Sequence, residues 1–421
     1  MDYFESGYFK YKGNQLFCED IPLIEIAEEL GTPTYVYSKS FFIDRYNEFD
    51  KAFAGFDHQI FFACKSNFNL SVIKAFIDAG SGVDVNSEGE LIRAMKAGAS
   101  SRKLIMSGVG KTQSEIKLAL ENDLLMIKAE SEEEILLINE IAGSLNTTAR
   151  VAIRVNPDVD AKTHPYISTG LAKNKFGVDA STALRLFKMQ KYLRNIKYTG
   201  IDMHIGSQIT KVEPFVEAIE KLGELFLKVK SEGIALEHID LGGGIGVAYN
   251  NEKTFSIEEY AKAVMPVLKK LNCKAFFEPG RYLTANGGIL IAQVLYTKKN
   301  LDKNFIITDG AMNDLLRPSM YGAYHHVQPL TLTKNKNDIT ADVVGPVCES
   351  GDFLAKNVRI TECRRGEYIA VLSTGAYGMV MSSNYNMRRR PAEVLVEGKN
   401  FKVVRRRETF EHLLKDEISL L

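Results

Sequence analysis

The sequence predicts an α/β barrel joined to an all-β domain, with a (β/α)8 barrel in the middle of the chain. Three observations lead there. Between residues 59 and 281, short β-rich runs alternate with amphipathic helical stretches, and eight such runs occur, the number that closes a barrel. After residue 282 that rhythm stops, and alternating apolar strands separated by turns replace it. A length of 421 residues also exceeds what a single ordinary core reaches, so two domains are expected.

From the N-terminus, "YFKYKGNQLFCED" is β-like and predicts strands in residues 1–35 that join the later β domain. A further run, "TPTYVYS" (32–38), precedes a helical pattern at about 40–55 and marks the entry into the barrel, residues 36–281. The barrel strands are "QIFFACK" (59–65), "SGVDVNS" (81–87), "KLIMSG" (103–108), "LLMIKAE" (124–130), "RVAIRVNP" (150–157), "YTGIDMHIGS" (198–207), "LEHIDLGGG" (236–244) and "KAFFEPGR" (274–281). One helix between them, "SEGELIRAMKAG" (87–98), carries Leu91 and Met95 on an apolar face and has Ser87 and Glu90 at capping-box spacing. Residues 282–421, with "GGILIAQVLYTKK", "NFIITDG", "ITADVVGP", "EYIAVLS" and "AEVLVEGKNFKVV", form the β domain.

Lys and Arg total 53, as do Asp and Glu, so no net field draws the chain to nucleic acid or an anionic membrane. Small-molecule chemistry is the class left. The first residues have no apolar core of the signal-peptide kind, which predicts a soluble protein without an export signal. Five cysteines, odd in number and without C-x-x-C spacing, argue against a disulfide framework or structural zinc and suit a reducing cytoplasm. No histidine spacing suggests a metal site.

Catalytic groups in such barrels collect where the strands end. Lys65 follows "IFFAC" at a strand end. A snorkelling surface lysine is the commoner occupant of such a place. Partial desolvation, however, brings an amine toward the neutral nucleophile that condenses with an aldehyde, and pyridoxal phosphate is the aldehyde cofactor. That cofactor needs a phosphate cradle, for which "LGGGIG" (241–246) offers unobstructed backbone and Ser207 a hydroxyl. It also needs a carboxylate at the ring nitrogen, and Glu278 in "FFEPGR" ends the last strand. Taken singly, Glu278 could equally bridge to Arg281, the glycines could be a tight turn, and His204 in "DMHIGS" could be a core residue or lie flat on the ring.

In order along the chain, "FFACKSN", "MHIGSQI", "DLGGGIG", "EPGR", "RPSMY", "GPVCESGDFLAK" and "GAYGMVMSSNYNMRRRPAEVLV" resemble the diaminopimelate decarboxylases. These are pyridoxal-phosphate-dependent decarboxylases of fold type III, whose barrel is like that of alanine racemase. The resemblance spans nearly the whole chain, and "CESGD" with "SSNYN" points to this branch rather than to ornithine or arginine decarboxylases.

The resemblance implies a Schiff base between Lys65 and pyridoxal 5'-phosphate, His204 stacked on the ring and Glu278 at its nitrogen. It further implies Ser207, Gly243, Gly244, Gly280, Arg281 and Tyr377 around the cofactor. Arg281, Arg317, Tyr321, Glu349 and Tyr377 would bind meso-diaminopimelate, and Cys348 would act with Lys65 in catalysis. Cys348 and Glu349 would come from a second subunit, so that a homodimer shares its active sites. Chemically this is coherent: arginines suit a distal carboxylate and a glutamate suits a distal ammonium. Carboxynorspermidine or broad-specificity basic amino-acid decarboxylation, and a catalytically dead partner-binding relative, are the competing readings. A long polar segment, 155–177, is a further candidate for a lid or specificity element.

Overall fold

The computed structural model describes residues 6–160, 169–170, 174–333 and 336–421. They form two compact units. Of the segment 155–177, residues 161–168 and 171–173 lie outside the described residues.

The first unit holds residues 43–248 and 252–283. Its strands are β1 (His58–Ala63), β2 (Gly82–Val85), β3 (Leu104–Met106), β4 (Met126–Ala129), β5 (Ala149–Arg154), β6 (Ile196–Asp202), β7 (His238–Asp240) and β8 (Lys274–Phe277). Each runs parallel to the next and β8 pairs with β1, which closes the barrel. All eight coincide with the strands read from the sequence. Their interiors are buried almost without interruption, as expected for strands covered on both sides.

Because side chains alternate across a strand, every second residue enters the barrel. The lower interior layer is mostly apolar: Phe61, Ile105, Met126, Ala152 and Phe276 form one cluster, with the Phe61 and Phe276 rings 4.8 Å apart, and the buried His238 ring stacks on Phe276 at 4.4 Å. Two residues further along each strand, the inward positions become Ala63, Asp84, Ser107, Lys128, Arg154, Asp202, Asp240 and Glu278. A packed apolar floor therefore carries a polar layer toward the carboxyl ends.

The helices between strands are capped as their sequences suggest. Ser87 accepts from the Glu90 N–H at 3.3 Å at the start of the helix Glu88–Lys96. The capping box is not completed there, since Glu90 reaches back to the N–H of Asn86 at 2.7 Å. Leu91 is buried with Ala94, whereas Met95 is 37% exposed, so the apolar face is narrower than its spacing suggested.

The second unit contains the residues up to Phe42, Tyr249–Asn251 and Thr284–Leu421. A small antiparallel sheet comprises Phe9–Lys12, Gln15–Cys18 and Ile21–Pro22. In the larger sheet, Gly288–Asn300 lies between Lys303–Thr308 and Thr34–Ser38, and Thr34–Ser38 runs parallel to Ala392–Glu397. The strand that precedes the barrel thus belongs to this sheet. Leu16, Leu23, Val36, Ile289, Ile291 and Val394 pack in one core, which is why the N-terminal strands join the C-terminal part of the chain. Helices Leu23–Leu30, Arg317–Tyr321 and Phe410–Ile418 accompany the strands.

Two runs of three arginines, Arg388–Arg390 and Arg405–Arg407, contribute hydrogen bonds to the backbone of this unit. Arg388 donates to the Asp309 carbonyl at 2.9 Å, and Arg407 donates to the Pro33 carbonyl at 2.7 Å. Among the described residues no helix is long and apolar enough to cross a membrane.

Candidate active site

Lys65 stands in the single helical turn Cys64–Ser66 that directly follows β1, at the carboxyl face of the barrel. Its side chain is 39% exposed, and its Nζ lies 3.8 Å from Oδ2 of the fully buried Asp84 on β2. Among the described residues, neither oxygen of Asp84 has a hydrogen-bond partner at ordinary distance, the Ser107 hydroxyl being the polar group that approaches it. Burial pushes the Asp84 carboxyl up, while the charges of Lys65 and Lys128 and the Ser107 hydroxyl pull the other way. An amine therefore meets a poorly solvated carboxylate beside open space.

At the barrel axis, Lys128 points inward from β4. Its ammonium is 2.7 Å from Oδ1 of Asp202 and 2.7 Å from Oδ2 of Asp240, and it also contacts Oε1 of Glu278. Burial disfavours the ammonium, but Asp202, Asp240, Glu278 and Asp84 outweigh that and hold the Lys128 pKa well above the ordinary lysine value. Asp202 and Asp240 are both pushed up, first by burial. Ligand oxygens of Asp202, Asp240 and Glu278 lie within 4.8 Å of one another. A lysine ammonium occupies the position that a metal ion would take in such a group. The cation expected beside Glu278 is thus Lys128; Arg281 instead donates from Nη2 to Ser207 Oγ at 3.0 Å.

The loop after β7 approaches this cluster closely. Gly242 and Gly244 have φ of +64° and +99°, which favours glycine. A Cβ on Gly243 would lie 2.3 Å from the Glu278 carbonyl oxygen, and one on Gly244 would lie 2.4 Å from that of Gly206. The Gly243 N–H donates to Nδ1 of His204 at 3.2 Å, so the imidazole proton is on Nε2. His204 is partly exposed at its edge, yet burial, with Lys65, Arg154 and Lys128 nearby, lowers its pKa far enough to keep the ring neutral. Gly280 packs on the Lys65 turn, where a Cβ would be 3.0 Å from Ser66. Lys65, His204, Ser207, Gly243, Gly244, Glu278, Gly280 and Arg281 are therefore gathered at one end of one barrel.

The remaining candidates belong to the β unit. Arg317 begins a short helix and is buried, with its guanidinium 4.5 Å from the centre of the Tyr249 ring and Nη1 2.8 Å from Nε2 of His325. Tyr321 ends the same helix and is partly exposed. Cys348 and Glu349 are exposed on the turn between strands Asp338–Val344 and Phe353–Thr361, where Oδ1 of Asn386 accepts from the Cys348 N–H at 2.7 Å. Tyr377 adopts φ of +56°, a left-handed conformation uncommon for a side-chain-bearing residue.

Sequence reasoning missed Lys128, Asp202 and Asp240. The signal was present: Lys128 and Asp202 are two residues beyond the apolar or small inward positions Met126 and Gly200, and Asp240 two beyond His238, each in a recognised strand. It was obscured because an inward lysine within "LLMIKAE" reads as an ordinary strand interruption until its partners are known.

The residues suit pyridoxal phosphate by the chemistry of their donors. An accessible amine, a buried carboxylate, a neutral imidazole and an arginine–serine pair surround a glycine loop that tolerates no side chains. A family model described as "Pyridoxal-dependent decarboxylase, pyridoxal binding domain" matches residues 40–285. A relative from Aquifex aeolicus named diaminopimelate decarboxylase is 45% identical over 416 residues, covering 99% of this chain and 98% of the relative. The crystal structure of diaminopimelate decarboxylase from Helicobacter pylori complexed with L-lysine is 41% identical with a TM-score of 0.92, covering 95% and 100% of the two chains. That from M. jannaschii in co-complex with L-lysine is 35% identical with a TM-score of 0.93, covering 97% of each.

Proposed function

The chain belongs to the pyridoxal-dependent decarboxylases and, within them, to the diaminopimelate decarboxylases, and on that premise we propose how its own residues carry out the reaction. It is a carboxy-lyase that converts meso-2,6-diaminopimelate to L-lysine and carbon dioxide with pyridoxal phosphate. The observation that carries the residue assignment is Lys65. Its amine is reachable, follows β1, faces the buried Asp84 at 3.8 Å, and shares its barrel end with Glu278 and His204.

When bound, the cofactor supplies an electron sink for the pair left behind as carbon dioxide departs. Lys65 provides the amine that holds the cofactor and later releases the product. Glu278, in contact with the Lys128 ammonium, is the carboxylate that would hold a proton on the ring nitrogen. His204 remains neutral and packs on the ring without adding positive charge. Arg281, Ser207, Tyr377, Gly280 and the Gly243–Gly244 backbone bind the phosphate.

For the substrate's distal end, Arg281, Arg317 and Tyr321 bind the carboxylate and Glu349 the ammonium. Cys348 gives the proton to Cα. The exposure of Cys348 and Glu349 on one turn supports a homodimer in which that turn completes the partner's site. All five cysteines are free, which suits a reducing cytoplasm.

Lysine release from meso-diaminopimelate, assayed with and without added pyridoxal phosphate and beside carboxynorspermidine, ornithine and lysine as substrates, tests the reading. Diaminopimelate should be preferred and turnover should depend on cofactor. Lys65→Ala should lack a borohydride-reducible cofactor linkage; a linkage retained elsewhere overturns the Lys65 assignment.

A further inference from the structure

We propose that Lys128 is a positioning residue for this site, acting through Glu278: its buried ammonium ties Glu278 to Asp202 and Asp240 and holds that carboxylate in place for the ring nitrogen. The inference rests on the assignment of Glu278 above.

The geometry is specific. The Lys128 side chain is 2% exposed, those of Asp202, Asp240 and Glu278 are 3%, 0% and 6% exposed, and the ammonium contacts all three. Its backbone is held too: Lys111, itself paired with Glu134 at 2.8 Å, donates from Nζ to the Lys128 carbonyl at 2.5 Å. Lys128 and Ser107 both approach Oε1 of Glu278, with the Ser107 hydroxyl 3.5 Å away. Oε2 is then the oxygen assigned to the ring nitrogen.

Three carboxylates in so small and dry a volume cannot all ionise unaided, because like charges and desolvation each favour the protonated form. The charged or titratable groups facing Lys128 are Asp84 on β2, Arg154 on β5, Asp202 on β6, Asp240 on β7 and Glu278 after β8. His204 and His238 border the same layer, and both are held neutral by burial. Arg154 approaches Asp202 at 3.9 Å but is paired with Glu130 at 3.0 Å. Lys128 is therefore the cation that touches all three acids. Without it, the three acids face one another with no cation touching all of them, which favours uptake of a proton by the cluster, and Glu278 loses its anchor.

The test uses holoenzyme variants K128M, K128R, E278Q and K128M/E278Q. Cofactor absorption and kcat are followed against pH, and cofactor affinity is measured by equilibrium dialysis. K128M should show an added ionisation in both profiles, with kcat falling on the acid side. Its cofactor affinity should be weaker by about tenfold or more. K128R should restore the parent's profile, and K128M in the E278Q background should change affinity by less than about twofold. If K128M does not accumulate as folded protein, K128Q carries the same expectations.

A K128M holoenzyme with the parent's pH profile and affinity overturns the inference, as does an equal K128M effect in both backgrounds. An E278Q enzyme with unchanged absorption and affinity overturns the Glu278 assignment itself and this inference with it. Altered E278Q behaviour beside an unaltered K128M overturns the Lys128 inference alone.

Discussion

Nη1 of Arg317 lies 2.8 Å from Nε2 of His325, and both side chains are buried. The direction of this bond is set by the other ring nitrogen, because Nδ1 is 2.8 Å from the Leu372 carbonyl, which can only accept. His325 therefore carries its proton on Nδ1 and accepts from the guanidinium at Nε2. The Tyr249 ring covers the same guanidinium and lies edge-on to His325 at 5.4 Å. Arg317 is held by a stack and a tautomer, which leaves its fork aimed rather than mobile.

Arg317→Lys should raise KM for diaminopimelate by about 10-fold to 100-fold, the equivalent of one lost charge-assisted hydrogen bond, with a smaller change in kcat. His325→Leu should act in the same direction but more weakly, since the arginine remains while its aim is lost. Steady-state kinetics on both variants checks this; an unchanged KM in R317K removes Arg317 from substrate binding.

The cysteines should react in a defined order. Cys348 is exposed, whereas burial pushes the thiols of Cys273 and Cys363 up to about 11 and about 12 and those of Cys18 and Cys64 well above the usual value. The thiolate is the reactive form, so iodoacetamide should label Cys348 first and abolish turnover. Lysine should protect it. Cys348→Ala should lower kcat by about two orders of magnitude or more, the usual contribution of a placed proton donor, while cofactor absorption stays as in the parent. Peptide mapping by mass spectrometry after brief alkylation is the check.

Asp314 should make the protein less stable as the solution is made less acidic. Burial pushes its carboxyl up to about 7, against hydrogen bonding from the Ala311 N–H and the charge of Arg388. The folded state thus binds a proton that the unfolded chain has released above about pH 4. Stability from this group is complete below pH 4 and is lost as pH rises to about 7, a change of about 4 kcal/mol. Urea unfolding of the parent and Asp314→Asn from pH 4 to 8 should show their difference growing by that order in favour of the variant; a constant difference would rule the effect out.

Gly243→Ala should disturb the cofactor end of the barrel without a new charge. The added methyl group would meet the Glu278 carbonyl oxygen at 2.3 Å, and backbone on both sides must move. Overpacking of this kind costs about 1–3 kcal/mol, and it shifts both Glu278 and the Gly243 N–H that orients His204. Lower thermal stability together with weaker cofactor retention is expected, measured by melting and by dialysis. A parent-like melting temperature would show that the loop has room to spare.

Much of this site was legible in the chain itself. Short β-rich runs with helical spacing between them are a local property, so the eight barrel strands could be counted one by one. Lys65, His204, the glycine run and Glu278 stood out because each interrupts or ends an apolar run. Which β-like segments left the barrel was harder, since "TPTYVYS" has the composition of a barrel strand. Its membership of the β sheet is decided by pairing with Gly288–Asn300 and Ala392–Glu397, far away in sequence.

The sequence by itself therefore determined the eight barrel strands and the side chains carried at their ends, because β-rich runs and the helical spacing between them are read without information from elsewhere. Only the tertiary structure decided which of them meet. Lys128 is 74 residues from Asp202 and 150 from Glu278, and they become neighbours only when β8 pairs with β1 and closes the ring. Strength of a charge pair depends on separation and on burial together, and both are created at that closure. An unremarkable lysine in a short apolar run is thereby turned into the counter-ion of three buried acids.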